Sequence, residues 1–181
     1  MGSNFLLTRP VFFIGFMGAG KTSVSRKLAR TYRLSAVDAD TYLERREGKK
    51  IKAIFAEVGE EGFREIESDV LAELAQKDPL LISCGGGVVE RAENRALLHE
   101  SGFVVHLRVS ADEAAERISN LSTRPLFDDI EAARALYERR AALYDEVADV
   151  TINTAEKGVN RVAREVKKII MREGVLCRLQ K

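Results

Sequence analysis

The chain is poor in the features that tie a protein to nucleic acid, to a membrane or to an oxidising compartment. Its 181 residues carry 29 Lys and Arg against 28 Asp and Glu, a formal net charge of +1. No excess of one sign is there to hold a phosphodiester backbone or an anionic bilayer, so neither partner is expected. The two cysteines, Cys84 and Cys177, form no C-x-x-C pair and no Cys/His cluster at zinc-ligand spacing, which leaves reduced thiols and a cytoplasmic location as the expectation. No run of about 18 apolar residues occurs. The opening segment Met1 to Pro10 lacks a basic stretch followed by a long apolar one, and Leu6 stands where the myristoylation pattern wants Ser or Thr. His99 and His106 have no partner at ligand spacing and read as structural. Repeats, linkers and low-complexity segments are also missing. A single domain over residues 1–181 is expected, because a chain somewhat above ~150 residues buries roughly 70% of its unfolded surface and needs no disulfide or metal staple.

What is present is an alternation of short apolar runs with helical periods. Pro10 to Gly15 is apolar and bounded by Pro and Gly, as a strand buried on both faces would be. Further strands are expected at Leu34 to Asp38, Leu80 to Cys84, Phe103 to Val109 and Val150 to Asn153. Helices are expected at Lys21 to Tyr32, Thr41 to Arg46, Ile51 to Val58, Glu60 to Lys77, Asn94 to Glu100, Ala111 to Ile118, Ile130 to Tyr144 and Val159 to Glu173. Ser110 with Glu113 makes a capping box. The basic end, Lys167 to Lys181, reads as a solvated helix face and tail, since it lacks interleaved aromatics. Residues 120–129 lose periodicity and are the candidate mobile loop. The order implies an α/β three-layer sandwich around a five-stranded parallel sheet.

Gly15-Phe16-Met17-Gly18-Ala19-Gly20-Lys21-Thr22 matches the full G-x-x-x-x-G-K-S/T pattern, between a buried strand and a helix as that pattern requires. Its glycines let successive N–H groups turn inward, and the helix start adds partial positive charge, so the loop cradles polyphosphate. Gly18, Ala19, Gly20, Lys21, Thr22 and Ser23 are the ATP-binding candidates, with Lys21 for the β- and γ-phosphates and the Thr22 hydroxyl for Mg²⁺.

Asp38 and Asp40 follow the second strand, near the sheet edge where open α/β folds bind ligands. One carboxylate beside the phosphates can hold Mg²⁺ through water while the other orients an acceptor hydroxyl; equally, an Asp there can cap a helix at a surface turn. Arg64 and Glu67 lie three apart on one helix face, so Glu67 either braces the guanidinium for a ligand or forms a solvated ion pair with it. Gly85, Gly86 and Gly87 end a central strand and bring backbone N–H groups close to a ligand. Ser83 before them is either a contact to the water shell of Mg²⁺ or a buried strand hydroxyl. Arg124 in the aperiodic stretch can swing onto transferring phosphates, and Arg140 on the next helix can face back across the cleft.

In their order and spacing from about Val11 to Asn153, these motifs resemble the shikimate kinase family of small P-loop kinases. That resemblance implies a P-loop, nucleoside monophosphate kinase-like fold, with a substrate-binding region near residues 39–67 and a lid near residues 118–130. It implies ATP and shikimate as small-molecule substrates, Mg²⁺ as cofactor and a monomer. By it, Asp38 is the Mg²⁺-associated aspartate and Asp40 the one that orients the acceptor hydroxyl. Arg64 and Arg140 are the pair that holds the shikimate carboxylate, which suits a guanidinium's bidentate geometry, and Gly86 and Gly87 lie against shikimate. Lys21, Asp40 and Arg124 are the catalytic set, Arg124 being the lid arginine. Arg117 flanks adenine, and Phe55 with Phe63 walls the ring. The lid segment Ser119 to Thr123 departs from the family by lacking glycine. The reading on residues alone leaves two rivals: a kinase for another hydroxylated acid such as gluconate, and a nucleotide-binding regulator without turnover.

Overall fold

The computed structural model describes residues 5–119 and 130–179. In chain order the elements are β1 (Phe5–Leu7), β2 (Val11–Ile14), α1 (Lys21–Tyr32), β3 (Ala36–Asp38), α2 (Ala39–Glu47), α3 (Ile51–Ala75) and β4 (Leu81–Ser83). They continue with α4 (Ala92–Ser101), β5 (Phe103–Arg108), α5 (Ala111–Ser119), α6 (Ile130–Val147), β6 (Val150–Asn153), α7 (Val159–Arg172) and β7 (Leu176–Arg178). Among the described residues no helix is long and apolar enough to cross a membrane.

All five expected strands form one parallel sheet in the order β3-β4-β2-β5-β6. β2 sits at its centre, with Val11 beside both Leu81 and Phe103, and its four side chains have no exposure at all. That is why its sequence is continuously apolar: helices cover both faces, so alternation would place polar groups in the core. α1 packs on α7 and on β2, β3 and β4, while α3, α4 and α6 make a second connected layer that reaches β5. The connection after β2 leads to one side of the sheet and the connection after β4 leads to the other. The strand order therefore reverses at β2, the position where open α/β sheets form their ligand crevice.

The helices expected at 51–58 and 60–77 both form and meet within α3 at Gly59, whose φ of 72° and ψ of −174° are non-helical and which an L side chain rarely adopts. Two features differ from the sequence reading. The segment after Thr41 begins earlier, at Ala39, which puts Asp40 inside the first turn of α2 and leaves Asp38 as its cap. The basic end is not a solvated tail. Residues 176–178 pair antiparallel with residues 5–7 in a two-stranded ribbon, Val175 and Leu176 are buried, and the Phe5 ring packs edge-on against Tyr32 at 5.1 Å. Three-residue strands carry too short a pattern to read from sequence, and pairing across the whole chain is a tertiary event.

The joint between α4 and β5 has no room for a side chain at Gly102. A Cβ there would stand 2.4 Å from the Phe12 ring and 2.6 Å from the Pro10 carbonyl oxygen, which accepts the β5 hydrogen bond from Phe103 N. Gly102→Ala is expected to destabilise the fold by about 2–3 kcal/mol through forced displacement of β2 against β5, read as a lower midpoint in urea at unchanged slope.

Candidate active site

The loop after β2 is shaped by positive φ at Gly15, Gly18 and Gly20, 136°, 75° and 88°, and at the first two by close packing as well. A Cβ at Gly15 would lie 2.3 Å from the Leu107 carbonyl oxygen, and one at Gly18 would press on Ala114 at 3.2 Å. Gly20 caps α1, so the first N–H groups of that helix, from Lys21, Thr22 and Ser23, open at the loop. Ala19 is buried beneath it. Lys21 is 9% exposed and donates to the carbonyl oxygens of Gly15 (2.7 Å) and Phe16 (3.0 Å), which holds its charge at the loop.

Beside the loop three oxygens converge. The Thr22 hydroxyl donates to Asp38 Oδ2 at 2.7 Å and lies 3.0 Å from the Ser83 hydroxyl. Asp38 Oδ1 accepts from Thr41 N at 3.0 Å and so caps α2, as the capping reading expects, while Oδ2 accepts from the Thr22 hydroxyl. A set of hard oxygens with a single carboxylate suits a hydrated Mg²⁺ that shares phosphate ligands, rather than a metal caged by protein alone.

The second half of the site is a buried charge network. Arg64 Nη1 donates to Glu67 Oε2 at 2.8 Å, and its Nη2 stands 3.0 Å from Glu90 Oε2 and 3.5 Å from Glu60 Oε1. Arg140, 6% exposed, donates from Nε to Glu90 Oε1 at 2.9 Å. Burial opposes the Arg64 charge, but Glu67, Glu90 and Glu60 outweigh it and hold the guanidinium above its ordinary value. Burial likewise pushes the Glu67 carboxyl up, against the pull of Arg64. The solvated ion pair considered for Arg64 and Glu67 is thus replaced by a nearly enclosed one, with side-chain exposures of 11% and 9%. Arg64 Nε is buried and has no hydrogen-bond partner among the described residues.

The triple glycine joins the two halves. A Cβ at Gly85 would meet Glu67 Oε1 and Asp40 Oδ1 at 2.7 and 2.9 Å, and one at Gly87 would enter the Arg64 guanidinium at 2.3 Å. The Cβ position of Gly86 is 3.6 Å from Arg140 Nη1 and 3.8 Å from the Gly15 carbonyl oxygen, so the phosphate loop and Arg140 meet over one residue. The Tyr144 hydroxyl donates to the Gly86 carbonyl at 2.5 Å. Phe55 and Phe63 stack at 4.3 Å, with the Arg64 Cζ 5.5 Å from the Phe63 ring centroid. Arg117 binds the Gly18 carbonyl (3.1 Å) and the hydroxyl and carbonyl of Thr154 (3.1 and 2.9 Å), tying the loop to the end of β6. Arg124 and most of the lid expected at 118–130 lie outside the described residues.

Sequence reasoning missed Glu90, Tyr144 as a backbone anchor, and Thr154. None carries a local signal, because each acts on a partner between 37 and 58 residues away. His106 has partners that spacing could not show. Its Nδ1 lies 3.1 Å from Asp145 Oδ1, and its ring lies tilted by 30° against Tyr144 at 5.0 Å, next to Gly15 of the phosphate loop.

A family model described as shikimate kinase matches residues 17–171. A shikimate kinase of Bacillus anthracis is 42% identical over 164 residues, covering 90% of this chain and 98% of that one. One of Burkholderia thailandensis is 40% identical over 171 residues, 93% of each chain. Among solved structures, the shikimate kinase of Acinetobacter baumannii in complex with shikimate superposes with a TM-score of 0.85 at 34% identity, covering 91% of this chain and 94% of that one. A gluconokinase of Sinorhizobium meliloti, at 0.61 and 18% identity over 93% and 94% of the two chains, shares the fold alone.

Burial pushes the His106 ring down to about 4 from its ordinary 6.5, more than Asp145 raises it. As pH falls, the unfolded chain takes this proton first, so the contribution is complete above about 6.5 and is lost as pH falls toward 4. It amounts to roughly 2–3 kcal/mol. Urea titrations at pH 7, 6 and 5 should show stability falling in the wild type, and His106→Gln should flatten that fall; an equal slope in both would remove His106 as its source.

Proposed function

The chain belongs to the shikimate kinase family, and from that premise we propose how its residues transfer the γ-phosphoryl group of ATP to the 3-hydroxyl of shikimate, giving shikimate 3-phosphate and ADP. The observation that carries the assignment of roles is Gly86, set between Arg140 and the Gly15 carbonyl, which makes phosphate cradle and acid-binding arginines walls of one cleft. Phosphoryl transfer asks little covalent chemistry of a protein, so positioning and charge neutralisation dominate.

The loop from Gly18 to Ser23 receives the polyphosphate on its N–H groups, and Lys21 adds a cation already oriented by two carbonyls. Thr22 and Asp38, with Ser83 adjacent, are the residues that would hold Mg²⁺, which when bound supplies neutralisation of the phosphate charge. Arg64 and Arg140 bind the shikimate carboxylate, with Phe55 and Phe63 against the ring. The backbone of Gly86 and Gly87 lies along the substrate, and its Gly86 carbonyl is held by Tyr144. Asp40, in the first turn of α2 next to Gly85, accepts the hydrogen bond of the 3-hydroxyl and points its oxygen at the phosphorus. Arg124 closes on the transferring group, and Arg117 stabilises the nucleotide side by fixing Gly18 to Thr154, beside which the adenine lies. We further assign a monomer in the cytoplasm, in keeping with the balanced charge and the reduced thiols.

A coupled ADP-release assay across shikimate, quinate, gluconate and nucleoside monophosphates should show strong turnover with shikimate alone; preference for another acceptor overturns the reading. Arg64→Ala should raise KM for shikimate roughly tenfold or more with a smaller change in kcat, because the carboxylate is remote from the reaction. Gly87→Ala offers a sharper split. Its methyl group meets the far end of a flexible side chain, so the melting temperature should fall by only a few degrees while KM for shikimate rises as far as in Arg64→Ala.

A further inference from the structure

Glu90 belongs to no motif, yet it is the residue that holds the two acid-binding arginines together. It stands on the short segment between Gly87 and α4, with its Oε2 on Arg64 Nη2 at 3.0 Å and its Oε1 on Arg140 Nε at 2.9 Å. One protein carboxylate thus spans the same two guanidinium groups that the acceptor's carboxylate is assigned to. Arg64 Nη1 donates to Glu67, and Nη2 is paired with Glu90. The guanidinium keeps other N–H donors, but a carboxylate that bridges Arg64 Nη2 and Arg140 Nε must take the seat that Glu90 fills.

Of the two carboxylates on Arg64, Glu90 is the freer to leave. Glu67 lies three residues from Arg64 on the same helix, with a side chain 9% exposed. Glu90 comes from a different part of the chain, and its side chain is 19% exposed. It also has somewhere to go: its Oε1 accepts from Arg139 Nη2 at 3.0 Å, and Arg139 is 66% exposed at the rim. Burial works against the Glu90 charge, but Arg140, Arg139 and Arg64 together hold its carboxyl below the ordinary range, so it stays a carboxylate at neutral pH.

We propose that Glu90 is a built-in competitor for the acceptor's carboxylate, seated between Arg64 and Arg140 until that carboxylate displaces it toward Arg139. The proposal rests on the reading that Arg64 and Arg140 bind the acid group of the acceptor. The seat keeps two buried cations neutralised in the absence of substrate, where unpaired they would repel. It also sets affinity and selectivity, because only a ligand that brings its own carboxylate replaces what it removes. A competitor seated roughly 70–90% of the time weakens apparent substrate affinity about three- to tenfold.

Glu90→Gln keeps the shape and removes the charge, and it should lower KM and Kd for shikimate about three- to tenfold. A merely structural lesion moves both the other way. The methyl ester of shikimate, which has no carboxylate to compete with, should gain nothing from the substitution. Arg139→Ala removes the alternative seat and should raise KM for shikimate; it decides the matter should the Glu90 variant not fold. An unchanged or raised Kd in Glu90→Gln, an equal gain for the methyl ester, or an unchanged KM in Arg139→Ala overturns the proposal. Failure of the underlying reading looks different: Arg64→Ala would then leave shikimate affinity at the wild-type level whatever Glu90 does.

Discussion

The site depends on one constraint, the complete burial of β2. Val11, Phe12, Phe13 and Ile14 are enclosed by neighbouring strands and by helices on both faces. Each such side chain contributes about 1.5–3 kcal/mol on leaving water, so the strand cannot shift without large loss. Its end is where the phosphate loop begins, and Gly15 rests on the Leu107 carbonyl of β5 with no space between. The loop's backbone geometry is therefore inherited from the most rigid strand in the molecule. The ends of β3, β4 and β6 lie at the same edge of the parallel sheet, and bring Asp38, the triple glycine and Thr154 around it.

A second balance is electrostatic. Two nearly buried guanidinium groups lie within reach of one carboxylate, an arrangement that costs stability unless every charge finds an opposite one. Glu67 and Glu90 supply those opposites, and Glu67 shows what it costs: burial raises its carboxyl even beside Arg64. The glycines complete the design, since a side chain at position 87 would occupy the space that Arg64 takes.

Much of this was legible residue by residue. The five strands announced themselves as apolar runs between turn signals, and the phosphate loop through its own spacing. Asp38, Asp40, Arg64, the glycines and Arg140 stand out by residue type and spacing, and the structure gathers them around the phosphate loop and the triple glycine. What stayed hidden shares a physical character. Glu90 is an ordinary acidic residue in a polar segment; it matters because the fold sets Arg64 on α3 and Arg140 on α6 on either side of it. Tyr144 resembles any core aromatic of an amphipathic helix until its hydroxyl is found on the Gly86 carbonyl. The ribbon of β1 and β7 pairs residues at opposite ends of the chain, where three-residue runs carry no readable period.

Local chemistry therefore determined the α/β class, the nucleotide-binding loop and the identity of most of the charged groups, because those depend on torsional preference, periodicity and short spacing. Tertiary structure alone decided which charges face one another, how deeply each is buried and which carboxylate sits between the arginines. Such interactions fall off over a few ångströms, and only folding brings residues far apart in sequence within that range.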